Sequence, residues 1–410
     1  MRFLVISAAL ALVATPMSAV AGHVADTFAC GGSDPDLRIA ACTALIETAH
    51  EKPRDSATTF SNRGAAYQQK LLYDQAFADY TQAISLDPSL AGAYSNRGTI
   101  YAARGQYKQA FADLTQAIAL DPQLTAAYVA RGNAYQNSGR PDQAIPDYDA
   151  VIRLRPGEAV AYYNRSVARV KLGFYDAAIA DLDQALSLRP DLTIAYVTRG
   201  DAYRAKNDFA KAIDDYSIII ANETNQSGAP SYAALHDRNG RAPLLVIPMD
   251  NVGAHAPSHL VRAYMARGIA YLSMHRIDEA IADETTAINL KPDDPGPYYW
   301  RGQAYVARSL FEPALADNAD AIRVGPGMAA AYNARAWIRH LQGQDAAGLP
   351  DVEKALSLAP GFANAIETRA EINEKLGRRE AAIDDYRAAL RTNPARSDAI
   401  TGLKRLGAAP

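Results

Sequence analysis

Apolar and polar positions along this chain repeat at two periods at once, the spacing of a helix and a longer period of 34 residues. The stretch NRGTIYAARGQYKQAFADLTQAIALDP (96–122) has a near copy in NRGAAYQQKLLYDQAFADYTQAISLDP (62–88). It returns as ARGNAYQNSGRPDQAIPDYDAVIRLRP (130–156) and again as WRGQAYVARSLFEPALADNADAIRVGP (300–326). Nine copies begin at Ala57, Ala91, Thr125, Ala159, Thr193, Val261, Pro295, Ala329 and Ala363. Each opens with a bulky fourth residue (Phe60, Tyr94, Tyr128, Tyr162, Tyr196, Tyr264, Tyr298, Tyr332 and the smaller Ile366). Most add Gly at the eighth position (Gly64, Gly98, Gly132, Gly200, Gly268, Gly302) and Tyr at the eleventh. Positions four, eight and eleven share one helix face. A second helical run follows, with Ala at its packing position (Ala76, Ala110, Ala144, Ala178, Ala212, Ala280, Ala314, Ala382) and Pro at position 32 to stop it. The pattern predicts helix, turn, helix, turn. No single copy can bury its apolar face alone, so an all-α stack of helix pairs is expected.

Glycine inside a helix costs about 1 kcal/mol against Ala, so its return at position eight needs a reason. Close approach of the second helix is the expected one, with the recurring Ala supplying the opposite side of a small-residue seam. Gly105, Gly139, Gly173, Gly343 and Gly377 fall between the helices, where a turn is needed.

Two charged positions keep strict phase with the packing residues. Position seven is Arg in every copy: Arg63, Arg97, Arg131, Arg165, Arg199, Arg267, Arg301, Arg335 and Arg369. Position 23 is Asp in every copy: Asp79, Asp113, Asp147, Asp181, Asp215, Asp283, Asp317, Asp351 and Asp385. A half-buried guanidinium demands a carboxylate, and a forked pair satisfies it, so the ladder is read as structural. The competing reading, a basic ladder for an anionic ligand, requires the arginines to be free.

The ends and one interruption depart from the repeat. MRFLVISAALALVATPMSAVAG has a positive start, a short apolar run and an Ala-Val-Ala site, the pattern of a secretory signal over residues 1–21. The run is short for a membrane span, and no membrane segment is expected in the mature chain. Export makes a disulfide the expected state of the two cysteines, Cys30 and Cys42. They lie in an arm and capping helix assigned to residues 22–56, whose Asp34-Pro35 reads as a helix N-cap followed by Pro at the first helical position. Repeats one to five occupy 57–222 and repeats six to nine 261–396, with a cap and tail at 397–410. Residues 223–260 keep the length of one repeat but lose its signature, and read as an irregular insertion or a degenerate unit. His236, His255 and His259 lie there, but Pro257 breaks the helix that would bring the last two together. A solvated loop is preferred to a metal site.

Tyr94, Gly98, Tyr101, Ala110, Ala117 and Pro122 follow the pattern of the tetratricopeptide repeat, which the chain resembles over 57–222 and 261–396. The N-R-G-x-x-Y form at Asn62 and Asn96 looks like its bacterial variety, and Cys30 to Glu47 like the leader helix of exported proteobacterial members. The resemblance implies a right-handed superhelix whose concave groove is lined by first helices, in a family of scaffolds, adaptors and peptide receptors. It places Asn62, Asn96, Asn133, Asn164 and Arg204 on the groove in the first half. In the second half it places Tyr299, Trp300, Gln303, Trp337 and His340 there, a more apolar and aromatic set. The family's clamp for a C-terminal carboxylate is mostly missing: Asn96 matches, while Ser61, Ala65, Ala126 and Ala130 do not. Internal peptide segments or a folded surface are therefore the expected ligands.

With 42 Lys and Arg against 45 Asp and Glu, and no basic stripe, nucleic acid is not an expected partner. No nucleophile, zinc-protease or nucleotide-loop motif is present, and the acidic pairs at Asp214-Asp215 and Asp384-Asp385 are repeat positions 22 and 23. The expectation is a non-catalytic scaffold without cofactor or metal, in the periplasm or secreted, binding a protein or peptide. A spacer in an envelope assembly with an empty groove is the alternative.

Overall fold

The computed structural model describes residues 26–48, 53–225 and 258–409. Every regular element among the described residues is helical. The proposed signal and most of the insertion, with His236 and His255, lie outside them. Contacts divide the chain into two bodies that meet in sequence at Arg189 and Pro190.

In the first body, helix Pro35–Thr48 is followed by the hairpins Pro53–Gln69 with Tyr73–Leu86, Ala91–Ala103 with Tyr107–Leu120, Thr125–Asn137 with Pro141–Leu154, and Ala159–Lys171 with Tyr175–Leu188. Each helix packs against the next in order, so hairpins stack on hairpins. Asp34 Oδ1 accepts from the amides of Asp36 and Leu37 and starts the leading helix. That helix lies on Pro53–Gln69, and Cys42 at its centre is bonded to Cys30.

The second body contains Thr193–Ala205 with Phe209–Asn225, Ser258–Ser273 with Ile277–Leu290, Pro295–Ala307 with Phe311–Val324, Ala329–Leu341 with Asp345–Leu358, and Ala363–Lys375 with Arg379–Thr392, closed by Ser397–Arg405. Phe209–Asn225 packs directly on Ser258–Ser273. Tyr216, Ile219 and Ile220 share a buried cluster with Leu260, Ala263 and Ala266. Repeats five and six are thus neighbours in space, although a full repeat length separates them in sequence.

The seam inside each hairpin differs from the expected one. The space left by glycine at position eight is filled by the large side chain at position 24, not by the recurring Ala. A Cβ on Gly64 would stand 3.0 Å from Cε1 of Tyr80, one on Gly98 2.8 Å from Cγ of Leu114, and one on Gly200 2.7 Å from Cε1 of Tyr216. Glycine therefore admits a bulky partner; the alanines, fully buried, let the helices close beside it.

The turns show the backbone geometry overriding residue preference. Gly105, Gly139 and Gly173 have φ between 71° and 78°, the region that favours glycine. Leu71, Asn207, His275 and Ser309 adopt φ of 57° to 61° at the equivalent position without being glycine.

Candidate binding face of the first helices

The charged ladder has the same geometry at all nine steps. Each position-seven Arg donates through Nε and Nη2 to the two carboxylate oxygens of its position-23 Asp, at 2.6 to 3.0 Å. The aspartates are buried. Most of these guanidinium groups also lie over the aromatic ring at position four, as Arg97 does over Tyr94 at 5.7 Å. Hydrogen bonding to Asp113 holds the Arg97 proton more tightly than usual, against the opposing effect of burial.

The remaining nitrogen, Nη1, reaches the hairpin before. Arg97 donates to Thr81, Arg131 to Thr115, Arg165 to Asp149, Arg267 to Ser217 and Arg301 to Thr285. Arg63 has no earlier repeat and donates to Thr43 of the leading helix. Every arginine closes its own hairpin, and these six also stitch it to its predecessor. Repeats four and eight, which lack the Tyr at position eleven, carry Arg169 and Arg339 there, and each adds a further bond to the same Asp181 or Asp351 at 2.7 Å.

Side chains at position 24 cross the hairpin and end at the face formed by first helices. The Tyr80 hydroxyl donates to Gln68, and Asn96 of the next repeat adds to its polar surroundings. Tyr148 donates to Asn133 and accepts from Gln136, whose amide also reaches the Asn164 carbonyl. Asn164 is only 1% exposed. It lies beneath the face, where its carbonyl accepts from Gln136, and not on the exposed surface that its groove position leads one to expect. Asn62, Asn96 and Asn133 remain partly exposed.

In the second body, Tyr216 donates to Asp201, which also accepts from Arg262 at 2.5 Å and lies 3.7 Å from Arg204. Arg204 is therefore part of a charge cluster that sequence reasoning did not assemble. Trp300 packs edge-on to Tyr299 with ring centroids 5.1 Å apart. Trp337 lies 5.3 Å from the His340 ring. His340 in turn sits between two carboxylates, Nδ1 at 2.5 Å from Asp345 and Nε2 at 3.4 Å from Glu371. The bond to Glu371, with Asp345 adding to it, raises the histidine above its ordinary pKa although burial opposes this. Both tryptophans, Tyr299, Gln303 and His340 are partly exposed.

Position 24 changes character in this body. It is Glu284 in repeat six and Asn318 in repeat seven. Glu284 is 1% exposed with neither carboxyl oxygen hydrogen-bonded, and Asn318 has an unpartnered Oδ1. Burial foremost, then Asp283, pushes the Glu284 carboxyl up to about 10, with Arg301 opposing and Asp294 assisting. This feature was visible only by comparing one position across the repeats.

Models described as tetratricopeptide repeat match residues 57–90, 129–170, 163–230, 261–294 and 363–396, and one described as TPR repeat matches 98–139. The chain belongs to the tetratricopeptide-repeat family. Its fold is similar to that of a chain in the APC/C hetero-tetramer Cut9-Hcn1, at TM-score 0.50 and 13% identity over 95% of this chain and 88% of that one. A tetratricopeptide repeat protein from Parabacteroides merdae aligns at TM-score 0.47 and 17% identity over 68% of this chain and 97% of its own. Pseudomonas aeruginosa pilF aligns at TM-score 0.47 and 14% identity, covering 62% and 100%. The sequence has no significant match among curated proteins. Tetratricopeptide repeats are in general protein-binding scaffolds, and among the described residues no helix is long and apolar enough to cross a membrane.

Proposed function

We propose that this tetratricopeptide-repeat protein is a non-catalytic scaffold of the exported compartment that holds an internal peptide segment or a protein surface on its first-helix face, with recognition concentrated in the second body. The observation that carries this reading is the placement of the chain's two tryptophans. Both stand partly exposed on first helices, Trp300 braced by Tyr299 and Trp337 by His340. Rigid, half-exposed aromatics are the residues that concentrate binding energy at protein interfaces. The amide-rich face of the first body, with Asn62, Asn96 and Asn133, suits an extended backbone. The full engagement of the arginines with their aspartates argues against a basic ladder for anions. The Cys30–Cys42 disulfide and the signal-like start support export.

The test combines fold and affinity. A partner recovered from an envelope extract with the mature chain is measured against Trp300→Ala/Trp337→Ala. Affinity is expected to fall by about 2 kcal/mol or more while helicity and melting are retained. Loss of helicity would reassign both residues to the core, and unchanged affinity would move recognition elsewhere.

A further inference from the structure

Glu284 occupies the slot that tyrosine fills in repeats one, three and five. Its Oε1 would lie 2.6 Å from a Cβ on Gly268, just as the Tyr80, Tyr148 and Tyr216 rings press on Gly64, Gly132 and Gly200. In those repeats the hydroxyl meets polar groups at the first-helix face. These stand at position twelve (Gln68, Gln136) and at position nine (Asn133, Asp201), with position six of the next repeat adding polar surroundings, as Asn96 does for Tyr80. The three corresponding positions around Glu284 are Leu272, Ile269 and Trp300; the first two carry no donor, and the Trp300 indole N–H makes no hydrogen bond to Glu284. A buried carboxyl with two unmet acceptors is costly, and the leucine or valine of other repeats fits the slot without that cost.

The surrounding charges do not supply the missing partner. Arg267 is engaged by Asp283 and Arg301 by Asp317, while Asp283 and Asp294 add negative potential. What the slot lacks is a cation, and the tyrosines of the sibling repeats, whose hydroxyls end at the first-helix face, mark the side from which one would arrive. We infer that Glu284 is the floor of a cation-accepting site that takes a lysine or arginine side chain of the bound segment, its alkyl stem against Ile269, Leu272 and Trp300 and its charged head on the two carboxyl oxygens. This deepens, and rests on, the reading of the first-helix face as the recognition surface. Burial keeps a proton on the Glu284 carboxyl while the slot is empty. An arriving basic head displaces that proton to solvent, and the resulting pair is of the charge-assisted kind that only a donor-rich basic head completes.

The site is testable without the natural partner. The mature chain is titrated with n-butylammonium and n-propylguanidinium, side-chain analogues of lysine and arginine, and with 1-pentanol as an uncharged control of similar length, following the two indole N–H signals by NMR. A saturable shift of the Trp300 signal is expected with at least one cation, at an affinity tenfold or more above that of the alcohol. Glu284→Gln is expected to lose tenfold or more of that affinity. Glu284→Tyr restores the residue of the sibling repeats; it should keep the fold, close the slot and abolish the shift, and it decides the matter if the Gln variant folds poorly. Equal binding of cation and alcohol, or unchanged cation binding in a folded Glu284 variant, would overturn the assignment. The two readings fail separately. Partner binding lost with the tryptophans but indifferent to the cation leaves only the recognition face standing. A cation site beside tryptophans that the partner ignores leaves only the site.

Discussion

Arg97 and Asp113 meet in a fork, Nε to Oδ2 at 2.7 Å and Nη2 to Oδ1 at 3.0 Å, with the carboxylate almost out of solvent. Removing one partner leaves the other buried and unpaired. Asp113→Ala is expected to destabilise the first body by about 3–5 kcal/mol in denaturant unfolding. Arg97→Lys, made as a single change, should also destabilise, though by less, because an ammonium keeps a charge beside Asp113 but cannot serve both carboxylate oxygens and Thr81 in the same plane.

Gly132 sets two effects against each other. Alanine there would gain about 1 kcal/mol of helix propensity, but its Cβ would stand 2.8 Å from Cε1 and 2.9 Å from Cζ of Tyr148. That ring is fully buried and tied by its hydroxyl to Asn133 and Gln136, so it has little room to yield. Overpacking wins, and Gly132→Ala should destabilise by about 1–2 kcal/mol. Gly92→Ala, with no atom within 4 Å of the new Cβ, should be neutral or stabilise by up to about 1 kcal/mol. Chemical denaturation of the two variants side by side gives the sign of each.

Because Tyr216, Ile219 and Ile220 pack with Leu260, Ala263 and Ala266, the step between repeats five and six is held by helix faces. Replacing residues 226–257 with a flexible Gly-Ser linker should leave helicity and melting temperature close to those of the parent. A drop of more than about 10 °C, which corresponds to roughly 2–3 kcal/mol or more in a domain of this size, would assign the insertion a share in the stack.

His340 provides a pH dependence of defined sign. Its folded pKa is raised by Glu371 and Asp345, so it contributes stability that is fully present below the unfolded value of about 6.5 and is lost as pH rises through the folded value. The stability difference between the parent and His340→Gln should therefore shrink from pH 6 to pH 9 in thermal melts. Glu371→Gln should weaken the same dependence, since it removes the foremost cause.

Much of the architecture was legible because packing residues and charges recur in one phase: Tyr94, Gly98 and Tyr101 mark a helix face, and Arg97 and Asp113 keep a fixed offset. The bond from Arg97 to Thr81 was not legible, since it joins different repeats and its acceptor varies between Thr, Ser and Asp. The burial of Asn164 was not legible because exposure depends on how neighbouring side chains pack, which position in the repeat does not encode. The role of glycine was assigned to the wrong neighbour for a related reason: Ala110 and Leu114 lie one turn apart on the same helix face, and only the side-chain directions distinguish them. The left-handed turn at Leu71 escaped notice because two packed helices impose that conformation on whatever residue stands there.

The stitching arginines also bear on how the array melts. In a linear array, the sharpness of unfolding depends on the coupling energy between neighbours as much as on the stability of each member. Arg267 and Arg301 each reach back to a hydroxyl on the hairpin before, but the residue that Arg335 would reach is Ala319, whose side chain has no acceptor. Within the second body, the boundary between Phe311–Val324 and Ala329–Leu341 therefore lacks one coupling bond that its predecessors have. Under mechanical pulling or mild denaturant, that boundary is where the cooperative block before it should end, with the hairpins beyond it and Ser397–Arg405 letting go separately.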